Sequence, residues 1–409
     1  MFNHRTVLKG CSSFRHIAKM VVIVQRFIPK YRRLLFERIS KQVDTRVIFS
    51  HPSSSSKVSA DSKVPHYGIL LKKRDIFHNF FKQGSDHPII QADLWKTIRR
   101  LRPSALITEG LSHPQAVLMS LIYKRLFGKR CNAVIWSIFY MPVNESEALY
   151  LSFYEKIRQN LKSQLRNFII SKFDYFIAYS TFGKKQLVRL HHVDPKKIFV
   201  NVNLSSKLAD VTKPVEEIVR ARKFDDSKCL DLLYVGFLSK EKKIVDLIES
   251  ITRLGSKFQL MFRLRVVGDG PEKSLVREYA ERFKCVEYIA YVDDDRFMNS
   301  LYCSSDFVLL PGRGGMVMSE ALSWGCRVLC VACDGVEYDL ITSPNNGRIL
   351  PSIDCMVEHT SSIDEISLNS LRELETVSEV VNSIRRLQCQ RESSLNDFFS
   401  GQIFQTPSP

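Results

Sequence analysis

The 409-residue chain predicts an α/β protein built as two domains, each a parallel sheet covered by helices on both faces. Three observations carry this. Short apolar strand patterns alternate with helical patterns over residues 20–204, and the same alternation restarts at residue 229 and runs to 350. Residues 205–228 between the two series are polar and charged, which suits an interdomain connection. The length also exceeds the ~250–300 residues that one hydrophobic core sustains.

The elements follow in order. Residues 1–19 show no periodicity and are expected to be a flexible extension. The run at 21–24 (VVIV) opens the first domain, followed by a helical pattern over 31–42 and a strand at 47–49. The Ser53–Ser56 tract reads as an exposed loop. Strands are expected at 105–107, 133–136 and 175–178, with a helix over 115–127. In the second series the strands fall at 231–235, 263–267, 286–289, 307–310 and 327–331. Helices fall at 244–253, 272–283, 295–302 and 317–324. Residues 351–409 are expected to form a C-terminal helical segment and tail, frayed from Ser394 onward.

Composition excludes several classes. With 44% hydrophobic and 25% charged residues the chain is globular rather than disordered. No apolar run approaches the ~20 residues of a membrane-spanning helix. The run at 20–24 is too short for a signal peptide, so a cytoplasmic protein is expected. The ten cysteines are scattered through apolar segments, unlike a disulfide framework. Net charge is +17 overall, +23 in residues 1–200 and −6 in the remainder. Such a basic half either attracts a polyanion or anionic membrane, or is simply a solvated face. No nucleic-acid motif is present, so nucleic acid is not the expected partner. No G-x-G-x-x-G follows an early strand, which argues against a dinucleotide oxidoreductase. Two apparent metal signals are discounted. Asp293, Asp294 and Asp295 precede a helical pattern and read as its cap. Cys326, Cys330 and Cys333 have no matching second pair and read as buried thiols.

The chemistry concentrates after three strands. Residues 311–325 place Gly312, Gly314 and Gly315 between a strand and an apolar helix. Glycines let backbone approach a bulky anion, and the helix start supplies N–H groups and partial positive charge. Glu320 lies one turn into that helix, where a carboxylate can take ribose hydroxyls. Residues 233–243 and 266–272 make two further strand-to-helix turns, the first rich in lysine at Lys240, Lys242 and Lys243. In open parallel sheets ligands sit at that edge. A basic amphipathic helix is read over 154–168, with Tyr154, Ile157, Leu161, Leu165 and Phe168 among Lys156, Arg158, Lys162 and Arg166. It either packs on the core or lies on a membrane surface, and the charge of the first half favours the membrane.

These segments together resemble the glycosyltransferase family 4 members of GT-B fold, of the bacterial envelope-polysaccharide type. The resemblance rests on YVGFLSKEK at 234–242, VVGDGPE at 266–272, SDFVLLPGRGG at 305–315 and EALSWG at 320–325. RFIPKYRRLLFERI at 26–39 and KFDYFIAYSTFGKKQL at 172–187 extend it into the first half, so that it covers roughly residues 20–350. It implies two Rossmann-like doubly wound domains facing across a cleft, the first binding the acceptor and the second the nucleotide-sugar. It implies a retaining, metal-independent hexosyl transfer to a saccharide or lipid-linked saccharide, performed on the inner face of the plasma membrane. By resemblance Lys242 binds the donor diphosphate with Ser239, Gly268 and Arg313 around it; Gly314, Gly315 and Met316 cradle phosphate, and Glu320 holds the ribose. The sequence departs from the family at three places: Phe237 replaces an arginine, Gly312 replaces a glutamate, and Trp136 is not followed by a histidine. His113 and Glu109 are the nearest ionisable candidates for a catalytic group in the first domain. The alternative reading is a GT-B protein that binds nucleotide or saccharide without transfer.

Overall fold

The structure is a computed structural model that describes residues 19–52, 63–75, 89–127, 131–139, 153–209, 213–223 and 228–405. Residues 1–18 of the expected extension and the Ser53–Ser56 tract lie outside the described residues, as do the side chains of 153–160 and 162.

The first sheet contains β1 (Val21–Val24), β2 (Thr45–Phe49) and β3 (Gly68–Leu70). A separate antiparallel pair, β4 (Lys73–Asp75) and β5 (Ile89–Gln91), follows. β6 (Ala105–Thr108), β7 (Asn132–Ser137), β8 (Tyr175–Ala178) and β9 (Ile198–Val200) complete the sheet. Its order is β3-β2-β1-β6-β7-β8-β9, all parallel, with Val21 level with Thr45 and Ala105. Every residue of β1, β6 and β8 is buried, which is why these strands read as unbroken apolar runs. Successive residues serve opposite faces. Val21 and Ile23 pack with Phe36 and Ile39, while Val22 and Val24 pack with Leu94 and Ile98.

The second sheet contains β10 (Cys229–Val235), β11 (Met261–Val267), β12 (Val286–Ile289), β13 (Phe307–Leu310), β14 (Arg327–Val331) and β15 (Gly347–Leu350), in the order β12-β11-β10-β13-β14-β15. It too is parallel throughout. The helix Ile244–Arg253 shows how its layers form. Ile244, Leu247, Ile248 and Ile251 recur every three or four residues and are all buried.

Each sheet reverses its winding once, between β1 and β6 and between β10 and β13. Ligands of open α/β sheets bind outside the strand carboxyl ends at such a switch point. The two sheets present those ends to each other. Loops after β1 and β8 of the first domain meet loops after β12 and β14 of the second. Lys30 lies 4.0 Å from Asp293, the Thr181 amide donates to Asp339 at 2.8 Å, and Phe182 stacks on Tyr338 at 5.0 Å.

One expectation is corrected. The chain does not fray at Ser394. A 27-residue helix, Leu374–Ser400, runs from the second domain back onto the first. Val377, Val380, Val381 and Ile384 are buried near its start, and Leu395, Phe398 and Phe399 near its end. Phe398 packs on Tyr175 and Phe199, while Asn132 donates to the Ile403 carbonyl at 2.7 Å. The apolar positions are spread thinly over many turns, and their partners lie some 200 residues away, so the segment reads as polar locally.

Candidate active site

The second domain's crevice is made largely of backbone. The loop after β10 carries Ser239 at the start of a short 3-10 turn, Lys240–Lys242, and the Lys242 amide donates to the Ser239 carbonyl at 2.8 Å. That turn presses against the loop after β13. A Cβ at Gly312 would stand 2.5 Å from the Glu241 carbonyl oxygen and 3.0 Å from the Lys242 Cα. A glutamate does not fit there, which gives the Gly312 departure a steric reason. The Lys242 ammonium crosses the same gap and donates to the Arg313 carbonyl. Burial, then the nearby Arg313, lower the Lys242 pKa, so the site favours an added anion. Gly315 holds a left-handed φ of +66° at the head of the helix Val317–Ser323, with open space beside it. Gly268, after β11, passes so close to the Gly236 carbonyl that a Cβ would overlap it.

Glu320 projects from that helix toward the interdomain segment and the helix Asp295–Cys303. Its carboxylate accepts from the Ser205 hydroxyl on the interdomain segment and from the Tyr302 hydroxyl at 3.1 Å. Burial raises its pKa, and these two hydrogen bonds oppose the rise. The structure therefore brings Ser239, Lys242, Gly312–Met316 and Glu320 to one switch point, with Arg313 exposed at the rim.

The first domain's crevice is made of side chains. Glu109, after β6, accepts from the Arg26 backbone amide and lies 3.3 Å from the Arg26 Nε, which joins the two loops at the β1–β6 switch point. Arg32 donates to the Gln25 side chain at 2.8 Å and to the Tyr179 hydroxyl. His113 is different from what its position suggested. It has no exposed surface, and among the described residues neither ring nitrogen has a hydrogen-bond partner. Burial lowers its pKa to about 4. In this conformation the ring is enclosed by the fold and burial favours its neutral form.

Sequence reasoning missed Ser205, Tyr302, Arg32 and Tyr179, none of which sits in a recognisable spacing. It also missed Glu337, whose buried carboxylate accepts from the Cys333 and Gly335 amides at 2.7 and 3.0 Å and shapes the loop after β14. Burial and the neighbouring Glu337 push the Asp334 carboxyl in that loop up to about 6. The expected cap is in place: Asp294 accepts from the Arg296 amide at 2.8 Å, and Asp295 pairs with Lys207 at 2.5 Å. Among the described residues no cluster of His, Cys, Asp and Glu has the arrangement of a metal site. A cavity of about 560 Å³ beside Lys243 and Pro311 is lined by Asp246, Glu249, Arg253 and Asp354, with Arg253 paired to Asp354 at 2.6 Å.

Two parallel-sheet domains meeting at their strand ends, with a glycine-built cradle on the second, define the GT-B fold. The comparisons with known proteins agree. Residues 230–364 match the family model for Glycosyl transferases group 1. No curated protein sequence matches the chain. A lipopolysaccharide outer core galactosyltransferase, WaaB, in its apo form superposes with a TM-score of 0.62 at 14% identity, over 92% of this chain and 99% of its own. Anabaena HepE in complex with UDP gives 0.57 at 12%, over 94% and 98%. The catalytic domain of Arabidopsis thaliana starch synthase IV, bound to ADP and acarbose, gives 0.53 at 13%, over 92% and 99%.

Proposed function

We propose that the protein is a glycosyltransferase that moves a hexosyl group from a nucleotide-sugar, held on the second domain, to a saccharide or lipid-linked saccharide held on the first. One observation carries the reading: Lys242 reaches across to the Arg313 carbonyl in the glycine-built loop at the β10–β13 switch point, and the half-buried Glu320 follows on the helix after that loop. Lys242 and the loop amides would neutralise the departing diphosphate, with Arg313 adding charge at the rim. Glu320 would exchange its Ser205 and Tyr302 hydrogen bonds for ribose hydroxyls. With positive charge supplied this way no divalent ion is needed, and the anomeric configuration is retained. On the acceptor side Glu109, fixed by Arg26, is the ionisable group nearest the transferred sugar. The setting we infer is envelope polysaccharide synthesis at the inner face of the plasma membrane. HepE, in complex with UDP and with UDP-glucose, and starch synthase IV, bound to ADP, support a nucleoside-diphosphate sugar as the donor.

Titrating UDP and ADP into wild type and Glu320→Ala tests this. Losing hydrogen bonds to a charged partner costs ~1–3 kcal/mol each, so affinity should fall by at least ~5-fold. Unchanged affinity removes Glu320 from the site. Turnover of a nucleotide-sugar panel should persist in EDTA; loss restored by magnesium or manganese would overturn the metal-free mechanism. Nucleotide binding without any turnover would select the binding-only alternative.

A further inference from the structure

The helices Pro114–Phe127 and Phe153–Ile170 lie side by side on one face of the first sheet. Their inner sides share a core in which Val117 and Leu121 join Ile169 and Ile170. Lys124, near the end of one, donates to the Lys172 carbonyl at 2.8 Å and to Asp174 at 2.7 Å, just beyond the end of the other. Both helices also carry a second apolar row that points outward. Leu118, Ile122 and Leu126 form one row, spaced by four. Leu161, Leu165 and Phe168 form the other, spaced by four and three. Their exposures run from 37% at Ile122 to 62% at Leu126. A single exposed leucine is ordinary, but six exposed apolar side chains in two rows on neighbouring helices mark an interaction surface.

The charge around the patch identifies its partner. The two helices and the next one on the same face, Thr181–His191, hold nine Lys and Arg against one acidic residue, Glu155. Exposed Arg125, Lys172 and Arg189 belong to this set or flank it, and the Lys172 ammonium lies 5.0 Å over the Phe168 ring. A second copy of the chain would bring this basic face against itself, so self-association is disfavoured. The opposite face is already covered, because Leu374–Ser400 packs there beside Arg33–Gln42. Apolar rows bordered by cations fit the headgroup region of an anionic bilayer.

We propose that the Pro114–Phe127 and Phe153–Ile170 face docks on an anionic lipid surface. Both helices begin at the strand ends that face the cleft, and Pro114 directly follows the Glu109–His113 loop. Docking on this face therefore sets the first domain's side of the cleft beside the bilayer. The inference does not depend on catalysis, since it is read from binding alone.

The full chain is co-sedimented with phosphatidylcholine vesicles, with and without phosphatidylglycerol, from ~0.1 to ~1 M salt, over which the Debye length falls from ~10 to ~3 Å. Wild type should bind the anionic vesicles selectively and release with salt. Arg125→Glu with Arg166→Glu and Lys172→Glu should weaken binding roughly 100-fold. Leu126→Gln with Leu165→Gln and Phe168→Gln should weaken it ~10-fold or more. UDP affinity, measured on the same samples, should stay unchanged in both variants; loss of UDP binding by wild type as well would count against the transferase reading and not against docking. No vesicle binding at low salt, or equal binding to both vesicle types, overturns the proposal. So does a wild-type dimer that the glutamine variant dissociates. If either variant melts early, the wild-type headgroup and salt series decides alone.

Discussion

The two domains build the same kind of strand-end crevice from different materials. In the second domain backbone touches backbone: Gly268 after β11 lies against the Gly236 carbonyl after β10, and Gly312 after β13 lies against Glu241 and Lys242, with no room for a side chain at either glycine. In the first domain the loops after β1 and β6 are joined by the Arg26–Glu109 pair, and Arg32 is seated on Tyr179. The difference is one of tolerance. A backbone contact admits only glycine, whereas an ion pair or a hydroxyl contact can be rebuilt from other side chains.

The largest predicted effect breaks the backbone crevice. A methyl group at Gly268 would lie 1.9 Å from the Gly236 carbonyl oxygen, so one loop must move. Gly268→Ala should destabilise the second domain by at least ~3 kcal/mol, read from urea unfolding. Glu109→Gln, which keeps an acceptor for the Arg26 amide, should cost ~1 kcal/mol or less in the same assay. Comparable losses from the two changes would end the contrast between the domains.

The next effect belongs to the first domain and depends on pH. His113 has a folded pKa of about 4, held down by burial, against ~6.5 when unfolded. As pH falls the unfolded chain takes up this proton first. The contribution to stability is therefore complete above ~6.5 and is lost progressively down to about 4. At 1.36 kcal/mol per pKa unit the full loss is ~3 kcal/mol. His113→Gln should flatten that limb of the stability curve between pH 6.5 and 4. A curve with the same slope in both proteins would place the acid sensitivity elsewhere.

The same contrast explains what could be read from the sequence. The second domain's strands at 307–310 and 327–331 fall where the apolar runs predicted them, because strands buried on both faces are continuous in hydrophobicity. Its glycines were legible because close backbone approach excludes every other residue. The short strands β3, β4, β5 and β9, three residues each, carry too little periodicity to be recognised. Ser205 and Tyr302 were invisible for another reason. They come from a connection and from the helix Asp295–Cys303, and only the fold brings them to Glu320. His113 shows the converse, since a histidine after a strand end gives no sign in the sequence of how deeply the fold buries it.

The smallest effect sharpens the comparison where the domains touch. At one edge of the cleft the Thr181 amide and hydroxyl donate to Asp339, and Phe182 stacks on Tyr338 with the rings 17° from parallel. The loop after β14 is braced for this contact, because Glu337 anchors the amides of Cys333 and Gly335, and Gly335 lies against Phe182. At the other edge Lys30 and Asp293 are both more than half exposed and stand 4.0 Å apart. An exposed pair at that distance is screened and holds little. The edges therefore differ in strength, and the cleft should open at the Lys30 side while the Phe182 side acts as the hinge. A double-mutant cycle on Phe182→Ala and Tyr338→Ala should return a coupling of ~0.5–1.5 kcal/mol, as for other stacked aromatic pairs. The cycle on Lys30→Ala and Asp293→Ala should return none. Scattering from the free protein gives the second reading: removing the Phe182–Tyr338 stack should raise the radius of gyration, and removing Lys30 should leave it unchanged. Equal couplings at the two edges would show that neither side is the hinge.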